Sequence, residues 1–81
     1  MEESYLVFKI KEGYYIESVY KKDVANVYMK ITSDVNDADN FSLLQKYNKN
    51  NNHFEEVVQA LKEQTGGELV TFVKTITIKE N

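Results

Sequence analysis

His53 is the single imidazole of this 81-residue chain, and there is no Cys to stand beside it. A metal centre or an acid–base pair needs several convergent groups, so His53 reads as a solvated residue at a helix start. Asp34, Asn36, Asp37, Asp39 and Asn40 are closely spaced oxygen donors of the type that binds calcium. Counted from Asp34, however, the third ligand position of an EF-hand is Ala38, its glycine is Asp39 and its bidentate glutamate is Gln45, so that template fails. The same side chains readily bond their own backbone, which makes Ser33–Asn40 a loop with a helix cap. No metal or other cofactor is expected.

Glu55 and Glu56 fall in the predicted first turn of a helix, where the macrodipole favours acids. With Asp34, Asp37 and Asp39 they also make one half of the chain acidic. Residues 33–81 hold eight acids and five Lys, whereas residues 1–32 hold five of each. The functional reading of that asymmetry is an acidic surface offered to a basic partner. Six Tyr form the remaining group, with Tyr5, Tyr14, Tyr15, Tyr20 and Tyr28 all in the first 32 residues. Tyr joins an apolar body to a polar tip, so it suits both a half-wet sheet face and a binding anchor.

These groups must be positioned by elements that the pattern of apolar residues predicts. Leu6, Phe8 and Ile10 alternate with Tyr5, Val7 and Lys9 to give a first strand from Tyr5 to Ile10, and a turn at Lys11-Glu12-Gly13 leads to a second strand over Tyr14–Lys22. After a polar break at Asp23–Asn26, Val27, Met29 and Ile31 mark a third strand, completing an antiparallel meander. Phe41, Leu43, Leu44 and Tyr47 fit a short helix capped by Asp39 or Asn40, and Asn48–Asn52 is an exposed Asn-rich loop. Phe54, Val57, Val58 and Leu61 follow the i, i+3, i+4, i+7 rule of an amphipathic helix, with Asn52 and Glu55 as a capping pair and Gly66-Gly67 as its left-handed stop. Glu68–Lys79 is a last strand on which Val70, Phe72, Ile76 and Ile78 share a face.

The expectation is a single α+β domain over residues 1–81, in the order βββααβ, with the main helix packed on the sheet. One helix covers one sheet face, so the other is wet or used. The alternation puts Tyr5, Val7, Tyr15, Val19 and Tyr28 on that second face, with Lys9, Lys21 and Lys30 among them. Glycine-rich phosphate loops, nucleophile elbows and zinc-helix motifs are all missing from the sequence, so an enzyme is not expected. A net charge of -3 with no Arg argues against nucleic acid as partner. The opening Met1-Glu2-Glu3-Ser4 leads into strand-like alternation, so no membrane segment is expected and a cytoplasmic location is.

The run Tyr-Leu-Val-Phe-Lys-Ile at 5–10, Gly-Tyr-Tyr-Ile at 13–16, the Ala38-x-x-Phe41 step, the helix, Gly-Gly and the final strand together resemble the small accessory proteins encoded by phages and prophages of low-GC Gram-positive bacteria. The Asn-rich insertion at Asn48–Asn52 and the third strand depart from that pattern. The resemblance implies a non-enzymatic modulator of a host protein, for instance an anti-CRISPR-like inhibitor of a nucleic-acid-binding defence enzyme. The expected contact residues are Tyr5, Tyr15, Tyr28, Asp34, Asp37, Asp39, Glu55 and Glu56. The alternatives are a single-strand-binding sheet face using Tyr15, Tyr28, Lys9, Lys21 and Lys30, and a homodimer through the free edge of the last strand.

Overall fold

The computed structural model describes residues 1–21, 27–47 and 53–77. The expected Asn48–Asn52 loop, the Asp23–Asn26 break, Asn52 as a cap, and Ile78 lie outside the described residues. Four strands, β1 (Glu2–Lys11), β2 (Tyr14–Lys21), β3 (Val27–Thr32) and β4 (Glu68–Thr75), form one sheet in the order β3-β2-β1-β4, each antiparallel to its neighbour. Two helices, α1 (Phe41–Tyr47) and α2 (His53–Thr65), lie between β3 and β4 in the chain. The protein is therefore a small α+β domain.

Local chemistry accounts for the ends of these elements. Gly13 takes φ +86 at the β1–β2 turn, the sign needed at the second central position of a type II turn, and Lys11 and Tyr14 close that turn as register partners. Asn40 caps α1: its Oδ1 accepts from the Leu43 N–H at 3.2 Å. The loop before it contains a 3-10 turn, Val35–Asp37, because the Asp34 Oδ1 accepts from the Asn36 N–H at 2.9 Å and folds the chain back on itself. Gly66, at φ +71, stops α2, its N–H donating to the Lys62 carbonyl at 2.8 Å.

Gly67 serves a different purpose from Gly66. A Cβ at Gly67 would lie 2.7 Å from both the Ile10 Cα and the Phe8 ring, and closer still to the Lys9 carbonyl. Only glycine lets the chain leave α2 this close to β1 and enter β4 beside it. That approach leads directly into the β1–β4 ladder, which begins at Lys9↔Glu68.

Phe8, Ile16 and Val27 from the sheet meet Phe41 of α1 and Phe54, Val57, Val58 and Leu61 of α2 in one buried cluster. The Phe8 and Phe41 rings stand 5.9 Å apart. Both helices thus cover the same side of the sheet. The molecule measures 51 × 30 × 18 Å, and the shortest extent has room for one helix layer on one sheet face.

Candidate functional site

Turned away from the helices is a second sheet face, and register rather than alternation alone decides what it carries. Along β1 and β4 the pairing is unbroken from Glu2↔Thr75 to Lys9↔Glu68. On the outer face this ladder reads Glu3↔Lys74, Tyr5↔Phe72, Val7↔Val70, Lys9↔Glu68. Two apolar pairs are therefore bracketed by two opposite-charge pairs, a favourable arrangement for cross-strand neighbours. The Tyr5 and Phe72 rings meet edge to face, with centroids 5.5 Å apart at 80°. Val7 is fully buried yet stands apart from the helix-side cluster, so this face has a sealed apolar centre of its own.

Along β2 and β3 the register shifts between Ile16 and Ser18. A bulge of this kind inserts one residue, and every side chain beyond it changes side. Val19, expected on the outer face, instead packs on the helix-side core opposite Met29. Tyr20 takes the outer position and stands opposite Tyr28. These two residues are 66% and 54% exposed and form an open aromatic pair on this face. The sequence carried a sign of the shift: Ile16 and Val19, both strongly apolar, are separated by an odd number of positions, which no regular strand can place on one face.

The other expected contact residues are distributed as follows. Tyr15 stands opposite both Lys9 and Thr32 and is half-buried, as is Tyr5. Asp34 is engaged by Asn36, and the Asp39 Oδ1 accepts from the Asn40 N–H at 2.9 Å, so both act as turn residues. Asp37 is exposed in the 3-10 turn, and Glu55 and Glu56 are exposed in the first turn of α2. His53 is the first residue of α2.

Lys30 is held by Glu17, its Nζ 2.8 Å from the Glu17 Oε2. The hydrogen bond and charge of Glu17, helped by the charge of Asp37, raise the Lys30 ammonium above its ordinary pKa of 10.5 against a small opposing desolvation. Near the hairpin the Lys11 ammonium sits 4.8 Å from the Tyr14 ring centre, a cation–π distance. A shallow depression of about 170 Å³ between α1 and β1 is lined by Ser4, Tyr5, Leu6, Ser42 and Thr71. It brings hydroxyls together without an imidazole or carboxylate to activate them.

Among the described residues, no group of three or more His, Cys, Asp or Glu is arranged to hold a metal ion, and no helix is long and apolar enough to cross a membrane. No protein-family model, no curated protein and no solved structure matches the chain.

Proposed function

We propose that this chain is a non-enzymatic protein-binding module that modulates a host protein by occupying part of its surface. In this reading the β1-β2-β3 meander supplies the contact, with Tyr20 and Tyr28 as its anchors and Tyr5 and Tyr15 as half-buried support. The acids Asp37, Glu55 and Glu56 add negative charge for a basic partner surface, such as that of a nucleic-acid-binding enzyme met in the cytoplasm. The observation that carries the reading is the exposed Tyr20↔Tyr28 pair on a face that neither helix covers. Adjacent exposed tyrosines join apolar area to a hydrogen-bonding tip and are favoured anchors at interfaces.

The charges of the same face favour protein over nucleic acid. Lys30 is engaged by Glu17, while Lys9 and Lys74 stand opposite Glu68 and Glu3. Lysines already matched by acids have little left for phosphate contacts. The test compares the wild-type chain with Tyr20→Ser/Tyr28→Ser as bait in a lysate of a low-GC Gram-positive host. A stoichiometric protein held by the wild type and lost by the variant is expected, and charge reversal at Asp37, Glu55 and Glu56 should weaken its capture in a salt-dependent way. Equal retention by the tyrosine variant would overturn the proposed face. Tight binding of a single-stranded oligonucleotide at low salt would replace the protein reading with the nucleic-acid one.

A further inference from the structure

β4 is an edge strand whose sequence is complementary to itself when run antiparallel. The backbone sets the first condition. The Leu6 N–H donates to the Ser42 Oγ at 2.9 Å, away from β4, and Leu6 stands opposite Thr71. Opposite residues of an antiparallel pair turn their N–H and C=O groups either both toward each other or both away. Thr71, and with it Leu69 and Val73, therefore directs its backbone groups to the open edge. The Ile76 N–H agrees in phase, donating inward to the Met1 carbonyl at 2.7 Å.

The side chains set the second condition. A two-fold axis through Thr71, perpendicular to the sheet, would pair Thr71 with Thr71 of a second copy and Leu69 with its Val73. On the outer face it would pair Glu68 with Lys74 and Val70 with Phe72. Each apolar outer-face residue meets an apolar one and each charge meets its opposite. Sliding by two residues in either direction destroys this match, setting Glu68 against Phe72 or Lys74 against Val70. Extended across both copies, the rows would read Glu3, Lys74, Glu68, Lys9 and Tyr5, Phe72, Val70, Val7, so that charge alternates along one and apolar side chains fill the other.

The third condition is access. Within the described residues β4 pairs only with β1. Val73 is 55% exposed, and β4 has no proline and no break in its register with β1. Such a strand lacks two of the usual protections against edge pairing, a proline and a bulge, and its two charges, Glu68 and Lys74, are of opposite sign.

We propose that the chain forms a two-fold homodimer by antiparallel pairing of β4 with β4 of a second copy, centred on Thr71, to give one continuous eight-stranded sheet. This edge lies apart from Tyr20 and Tyr28 on β2 and β3, so dimerisation through it does not depend on their docking. An interface of this length belongs to the small class, with a Kd on the order of 10 µM.

The test uses two charge reversals and their mixture. E68K and K74E each set like charges opposite one another in the homodimer, whereas one copy of each restores both complementary pairs. Sedimentation at ~100 µM, well above the expected Kd, should show a wild-type dimer, each variant weakened about tenfold or more, and dimer recovered in the equimolar mixture. Circular dichroism checks that each variant remains folded. Thr71→Pro gives a second handle, because it removes an N–H that faces only the open edge and should abolish the dimer while leaving the fold intact. A monomeric wild type overturns the proposal, as does a mixture that stays monomeric or a Thr71→Pro chain that still dimerises.

Discussion

The ladders on the two sides of the sheet treat aromatic residues in opposite ways. β1 and β4 keep one register over their whole pairing, and the Tyr5 and Phe72 rings close edge to face beside a fully buried Val7. β2 and β3 pass through a bulge, and beyond it Tyr20 and Tyr28 turn toward solvent. Composition alone does not account for the difference: β2 and β3 hold more Tyr than β1 and β4, yet Tyr15 is half-buried like Tyr5 while Tyr20 is open. Register does. An unbroken ladder let large side chains on the bare face shield one another, whereas a single inserted residue moved a valine into the core and brought a tyrosine out.

The sharpest break in this contrast is expected at Gly67, where β4 is brought against β1. Gly67→Ala should cost about 2–3 kcal/mol, because its new methyl meets backbone as well as the Phe8 ring. Urea unfolding would measure it, and a loss no larger than that of an exposed Gly→Ala change would show that the approach can relax. Val7→Ala comes next. Although it lies on the face without helices, it should cost about 2 kcal/mol, as the deletion of two buried methyl groups does. Equivalence with a surface substitution would remove the sealed centre from the β1–β4 ladder.

Tyr20→Ser and Tyr28→Ser should each change stability by less than about 0.5 kcal/mol, the range of exposed positions. A larger loss in the same unfolding experiment would mean that the bulged ladder also uses its rings for structure. Glu17→Gln should have the smallest effect and the most specific signature. With Lys30 raised above 10.5 in the folded chain, the pair's stabilisation is complete below 10.5 and disappears as pH rises through the higher folded value. The variant should lose that alkaline slope, and the Lys30 pKa followed by NMR should fall back toward 10.5. An unchanged titration would mean that Glu17 is not its main partner.

The elements governed by local rules were legible in the chain. α2 follows from Phe54, Val57, Val58 and Leu61, its end from Gly66, and the start of α1 from the capping preference of Asn40. The exposure of Tyr28 also followed from alternation. What depended on partners distant in sequence was not legible. β4 lies beside β1, and the chain enters it by a tight passage at Gly67, which looks in sequence like a mere companion to Gly66. Tyr20 lies on the outer face and Val19 on the helix side because the register shift between Ile16 and Ser18 breaks the even alternation that the sequence alone suggests. The acidic loop mixes two kinds of residue that composition cannot tell apart: Asp34 and Asp39 shape the turn, while Asp37 remains open to solvent.

β1 pairs with β2 only near the hairpin, at Lys9↔Tyr15 and Lys11↔Tyr14. Farther along, the seam between them is stitched by the segment entering α1: the Asp39 N–H donates to the Ile16 carbonyl at 2.9 Å, and the Ser42 hydroxyl receives the Leu6 N–H. Detaching α1 would thus unfasten the middle of the sheet as well as bare part of the core. Slow amide exchange at Leu6 would report on the docking of a helix 36 residues away in the chain, making one backbone proton a gauge of whether the two halves of the sheet move as one body.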